Sequence, residues 1–112
     1  MKPPFETRLS FTPDALIVSV SGEVDMGTAK RLTEALEGAS DRTPLVVVDL
    51  ADVSFIDSSG LNALLQSQRA LAERGSVLKI VVPPTGVVRR VFEIANLTEP
   101  LHVVENRDDT LS

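Results

Sequence analysis

Apolar side chains along this chain recur with two periods, one of two residues and one of three to four, and segments of the two kinds alternate. The stretch "RLSFT" puts Leu9 and Phe11 on one face and predicts a short strand. "TPDA" follows as a turn, with Pro13 preset for its second position and Asp14 favoured beside it, and "LIVSVSG" predicts a second strand. These two strands are expected to form an antiparallel hairpin. A helical period then begins after "GEVD": Ala29, Leu32, Leu36 and Ala39 share a face, Asp25 is the expected N-cap and Gly38 the expected stop.

The run "LVVVDL" (45–50) is β-branched and apolar on both faces, the mark of a central strand covered from two sides. From Leu61 to Gly75 the helical period is clearest, with Leu61, Leu64, Leu65, Leu71 and Ala72 assigned to the inner face. "VLKIVV" predicts the next strand, ended by Pro83 and Pro84. A third helix opens at Thr85 or Gly86 and directs Val88, Val91, Phe92 and Ala95 inward; "LHVV" (101–104) predicts a short edge strand. Residues 1–4 and 106–112 read as frayed ends, with a single turn in "ENRDDTLS" as the alternative.

Strand and helix thus alternate after an initial hairpin, which implies parallel pairing through crossovers. The predicted architecture is α/β: a mixed sheet of four to five strands with an N-terminal antiparallel hairpin and parallel βα units. If each strand lands beside the last, the helices gather mainly on one face. The corner "DSSG" (57–60) then lies at the carboxyl end of the sheet, where such folds commonly carry function.

Composition narrows what that corner can do. The 112 residues fit one domain and include no cysteine, which excludes disulfides, thiolate catalysis and cysteine metal sites. Eleven basic against 16 acidic side chains give a net charge of −5, unfavourable for a nucleic-acid partner; the pair Arg89-Arg90 is too small a patch to reverse this. With four Phe and neither Trp nor Tyr, there is no platform for stacking bases. The apolar runs are too short to span a bilayer, and "MKPPFETR" lacks the apolar core of a signal peptide, so a cytoplasmic protein without membrane insertion is expected.

Two adjacent hydroxyls, Ser58 and Ser59, stand at the start of the strongest helix. The plain explanation is capping, since a serine oxygen satisfies an orphan backbone N–H there, and Gly60 eases the tight entry. The functional explanation is phosphorylation: a helix N-terminus tolerates added negative charge, and a phosphate beside Asp57 would repel an acidic or apolar partner surface. A nucleophilic serine needs a base. The sole histidine, His102, lies far along the chain, and the spacing of a nucleophile elbow is missing. Asp49, Asp52 and Asp57 lack the alternation of a calcium loop, and no phosphate-binding glycine motif is present, so no cofactor, metal or enzymatic activity is expected.

Taken together, "SGEVDMGTA", "LVVVDLADVSFIDSSGLNALL" and "LKIVVPPTGVVRRVFEIANL" resemble, in order and spacing, the STAS domain of bacterial anti-sigma factor antagonists, over about residues 8–105. The resemblance implies a partner switch without catalysis of its own. The unmodified protein would bind an anti-sigma factor that is also a serine kinase and so release a sigma factor. Phosphorylation of the serine after the aspartate, here Ser58, would end binding, and a metal-dependent serine phosphatase would restore it. Asp25 matches an aspartate of the family's binding surface, and Asp57, Ser59 and Gly60 surround the acceptor. Many relatives continue into a further C-terminal helix, from which "ENRDDTLS" departs. The alternative that the family's breadth implies is a non-phosphorylated scaffold subunit of a stress-sensing, lipid-transport or anion-transport complex.

Overall fold

The computed structural model describes residues 4–38 and 43–111. Strands β1 (Glu6–Phe11), β2 (Ala15–Val24), β3 (Leu45–Ile56), β4 (Val77–Val81) and β5 (Val103–Val104) form one sheet in sequential order. The β1–β2 pair is antiparallel and the other three pairs are parallel. Thr12 closes the hairpin, its hydroxyl accepting from the N–H of Ala15 at 2.9 Å. Helices α1 (Ala29–Gly38), α2 (Ser58–Glu73) and α3 (Val87–Ile94) make the crossovers. Their apolar stripes, including Leu32, Leu36, Leu61, Leu64, Leu71, Val88 and Phe92, join Val18, Val20, Val48 and Ile80 of the strands in one core. All three helices therefore cover the same face, as the sequential strand order requires. On the opposite face only a small cluster is buried, Ala15, Val47 and Val81, with Ile17, Leu45 and Val104 packed around it.

Strand β3 is twice as long as the apolar run that announces it, because it contains two irregularities. Ser19 pairs with Asp49 but Ser21 with Asp52, and Gly22 pairs with Val53 but Glu23 with Phe55, so β3 carries an extra residue at each place. Such bulges break the two-residue alternation. Leu50, Val53 and Ile56 consequently all reach the core at three-residue intervals, while Ala51, Asp52, Ser54 and Phe55 are exposed. Asp49 secures the first bulge: one carboxylate oxygen accepts from the N–H of Ala51 at 2.9 Å, the other from Arg107 Nε at 2.6 Å. Arg107 also donates to Ser19 Oγ at 2.7 Å.

That contact explains the tail. Residues Arg107–Leu111 form a 3₁₀ turn against the helix-free face, the single turn expected as the alternative to fraying; Thr110 is buried, and Lys79 Nζ donates to the Thr110 carbonyl at 2.9 Å. Other expectations also need correction. The buried stripe of α2 centres on Gly60, Leu64, Ser67 and Leu71, with Leu65 partly buried against the core, and leaves Ala72 exposed. Helix α3 ends at Ile94, so Ala95 is exposed, and Leu97 packs on the core after Asn96 turns the chain with φ 57°. Ala39 lies outside the described residues.

Asp49→Ala removes acceptors from two donors at once. It is expected to cost about 1–3 kcal/mol in urea unfolding. Amide exchange should rise at residues 107–111 more than in α1.

Candidate functional site

At the carboxyl end of β3 the chain turns directly into α2, and Asp57 makes the turn. Its backbone is extended, with φ −117° and ψ −171°, and its Oδ1 accepts from the N–H groups of Ser59 at 2.9 Å and Gly60 at 3.3 Å. Asp57 is therefore the N-cap, a part that the sequence reading assigned to serine. Ser58 is the first helical residue. It is exposed, and its hydroxyl has no hydrogen-bond partner among the described residues. Ser59 is half-buried. The two hydroxyls thus differ in accessibility, and neither is needed to start the helix.

Gly60 is buried where α2 meets β2 and β3. A Cβ built there would lie 2.6 Å from Ile56 Cγ1 and 2.8 Å from Val24 Cγ1, so its lack of a side chain sets how closely the helix sits on the sheet. The Asp57 N–H donates to the Val24 carbonyl at 3.2 Å, and this bond places the β2–α1 connection beside the start of α2. Asp25, next after Val24, does not cap α1: the helix begins four residues later. Its Oδ1 instead accepts from the Gly27 N–H at 2.9 Å, and Thr28 closes the loop by donating to the Glu23 carbonyl at 2.9 Å. These bonds shape a short hydrogen-bonded loop that presents Met26, 84% exposed.

Between α1 and α2 runs a groove of about 350 Å³ lined by Met26, Ala29, Lys30, Thr33, Ser59, Asn62, Ala63 and Gln66. The structure thus gathers Asp25, Asp57, Ser58, Ser59 and Gly60 at one corner and adds this groove. The sequence reading missed Met26, Asn62 and Gln66. Met26 within "GEVDM" was the available signal, as an apolar residue placed between turn formers.

The lone histidine lies apart from the corner. His102 Nδ1 lies 3.1 Å from the Leu78 carbonyl. Leu78 pairs with Val46 near the amino end of β3, whereas Ser58 follows its carboxyl end. Among the described residues, no group of three or more His, Asp or Glu side chains is placed to hold a metal ion. Asp49 is engaged by Arg107 and Asp57 by the helix start. No described helix is long and apolar enough to cross a membrane.

The roles of neighbouring residues at the corner are separable by stability. Asp57→Ala should cost about 0.5–2 kcal/mol, the loss of a helix cap. Ser58→Ala should stay within about 0.5 kcal/mol of the parent protein, as expected for an unbonded surface side chain. Gly60→Ala should cost about 1–3 kcal/mol through overpacking. Denaturant midpoints at constant slope check all three.

Comparison with known proteins agrees with this geometry. A family model described as "Mlab, STAS domain" matches residues 7–105. The anti-sigma-B factor antagonist of Listeria monocytogenes is 32% identical over 91 residues, 80% of this chain and 79% of the relative. That of Staphylococcus aureus is 35% identical over 95 residues, 81% of this chain and 84% of the relative. The crystal structure of an anti-sigma factor antagonist from Mycobacterium paratuberculosis superposes with a TM-score of 0.84 at 30% identity, covering 96% of this chain and 92% of that one. With the sheet order, the helices on one face and the Asp-Ser-Ser-Gly corner all in place, the chain belongs to the STAS-domain family of anti-sigma factor antagonists.

Proposed function

We propose that this protein is a cytoplasmic partner switch whose state is written on Ser58. In the unmodified state the corner binds an anti-sigma factor that is also a serine kinase, and a sigma factor is released. The kinase transfers the γ-phosphoryl group of ATP to Ser58 Oγ with loss of the hydroxyl proton. The phosphorylated corner lets go, and a metal-dependent serine phosphatase hydrolyses the ester. The chain is substrate and switch and contributes no catalysis.

The observation that carries this reading is the exposure of Ser58 in the first turn of α2, with a hydroxyl the fold does not use. Because Asp57 caps the helix, modification of Ser58 leaves the cap in place. The helix dipole tolerates the new group, so the folded state survives it. A partner surface does not. Beside the Asp57 carboxylate a phosphate adds about −1.5 to −2 charges, which a bound partner would have to desolvate. Loss of a few kcal/mol of differential binding suffices to move such an equilibrium. Asp25, Asp57, Ser59 and Gly60 form the polar part of the proposed contact, and Met26 supplies an apolar anchor beside it. Flexible thioethers suit such a place because they adapt to an apolar pocket.

Purified kinase partner and ATP should phosphorylate the protein at Ser58, read by peptide mass spectrometry, and should leave Ser58→Ala unmodified. In calorimetric titration Ser58→Ala should bind as the parent does, and Ser58→Asp at least about tenfold more weakly. Equal binding by both variants removes the electrostatic argument. Absence of phosphate at Ser58, with stable binding to membrane-complex subunits that Ser58→Asp leaves unchanged, favours a scaffold. Met26→Ser should weaken partner binding by about 1–2 kcal/mol, the scale of an interface anchor.

A further inference from the structure

Strand β1 is an edge of the sheet, and among the described residues no strand pairs with the outer side of its backbone. Edges of this kind template pairing unless charge, proline or a covering segment guards them. Five of the six residues of β1 are exposed, with Thr7 partly covered. The register with β2 sorts the side chains. Glu6 and Arg8 lie opposite Ser21 and Ser19 on the helix-free face, whereas Thr7, Leu9 and Phe11 lie opposite Val20, Val18 and Leu16 on the helix face. Helix α1 does not reach the outer two, which leaves Leu9 47% and Phe11 67% exposed.

The charges on this edge are complementary to themselves. Glu6 and Arg8 line the hollow on the helix-free face with Ser19, Asp49 and Arg107, but Asp49 and Arg107 are paired with each other. Neither Glu6 nor Arg8 has a hydrogen-bond or ionic partner among the described residues. An antiparallel pairing of two β1 strands centred on Thr7 sets Glu6 of each copy opposite Arg8 of the other, twice. Centring on Arg8 would oppose two guanidinium groups, and centring on Leu9 would leave Glu6 facing Thr12 and Arg8 facing Ser10. In the Thr7 register Leu9 faces Phe5 of the second copy, an apolar ring already held under Arg31 at 4.8 Å. A two-fold axis perpendicular to the sheet keeps the helices of both copies on one side, which is the self-complementary geometry of an isologous dimer.

We propose that β1 is the interface for a second copy of this chain, pairing antiparallel about Thr7 and joining two five-stranded sheets into one. The corner at Ser58 lies at the end of central strand β3, away from this edge, so a dimer presents two corners. Because the interface and the switch are separate, either reading can fail without the other.

Sedimentation equilibrium of the full chain should show a concentration-dependent dimer. Glu6→Arg or Arg8→Glu alone should weaken dimerisation by about tenfold, since each puts like charges opposite at two places, and the two together should restore it. A protein that stays monomeric up to about 1 mM overturns the proposal, as does a dimer indifferent to the single reversals. The chain has no cysteine, so cross-linking gives a second check that does not depend on charge variants folding. Thr7→Cys, on the axis, should form a covalent dimer under mild oxidation and Ser10→Cys should not. Cross-linking by neither, or equally by both, overturns the register.

Discussion

The corner between β3 and α2 depends on one carboxylate. Asp57 accepts from the N–H groups of Ser59 and Gly60 while its own N–H reaches the Val24 carbonyl, so a single residue ends β3, starts α2 and ties both to β2. Orphan N–H groups at a helix start must find acceptors, and an aspartate with extended backbone supplies one at short range. Once Asp57 holds that post, Ser58 has no structural duty. The carboxylate that starts the helix and the exposed Ser58 hydroxyl are thereby separate, so the proposed modification of Ser58 would leave the cap in place.

Close approach is the second constraint, and it acts from the other side of the same turn. Buried Gly60 lets α2 settle against Ile56 and Val24. Those residues belong to the distal halves of β3 and β2, where the bulges have already re-aimed the inward positions. The bulge that Asp49 secures on the helix-free face and the glycine contact on the helix face therefore act on one strand. Between them they set the height and angle at which the corner projects. The Asp25–Thr28 loop, held by its own hydrogen bonds, then places Met26 beside it.

The two faces of the sheet do different work. The helix face carries the continuous core, while the helix-free face is polar at Glu6 and Arg8 of β1 and at Ser19 and Ser21 of β2, and is partly closed by the C-terminal 3₁₀ turn through Arg107. Such a division follows from sequential strand order, which sends every crossover to the same side. It also leaves the first strand with one face uncovered and one edge unpaired.

Much of this was legible in the chain. The alternation of Val18 and Val20 with Ser19 and Ser21, the β-branched run 45–50 and the Leu61–Leu71 stripe specified strands and helices because burial of apolar area follows local periodicity. The order of elements followed, and with it the placing of Ser58 at the carboxyl end of the sheet. Local pattern also missed features of the structure. β3 runs on to Ile56 through bulges that a two-residue pattern does not contain. The cap fell to Asp57 instead of a serine, since either residue type suits that position and backbone geometry alone distinguishes them. The tail folded back because Arg107 found Asp49, 58 residues away. Sequence by itself determined most of the elements and the sheet type, which depend on neighbours within a few residues, while resemblance to the family singled out Ser58 over Ser59. Tertiary structure decided which hydroxyl is exposed, what the corner is joined to and where the exposed Met26 stands. Those depend on contacts between segments distant in the chain, and no local pattern records them.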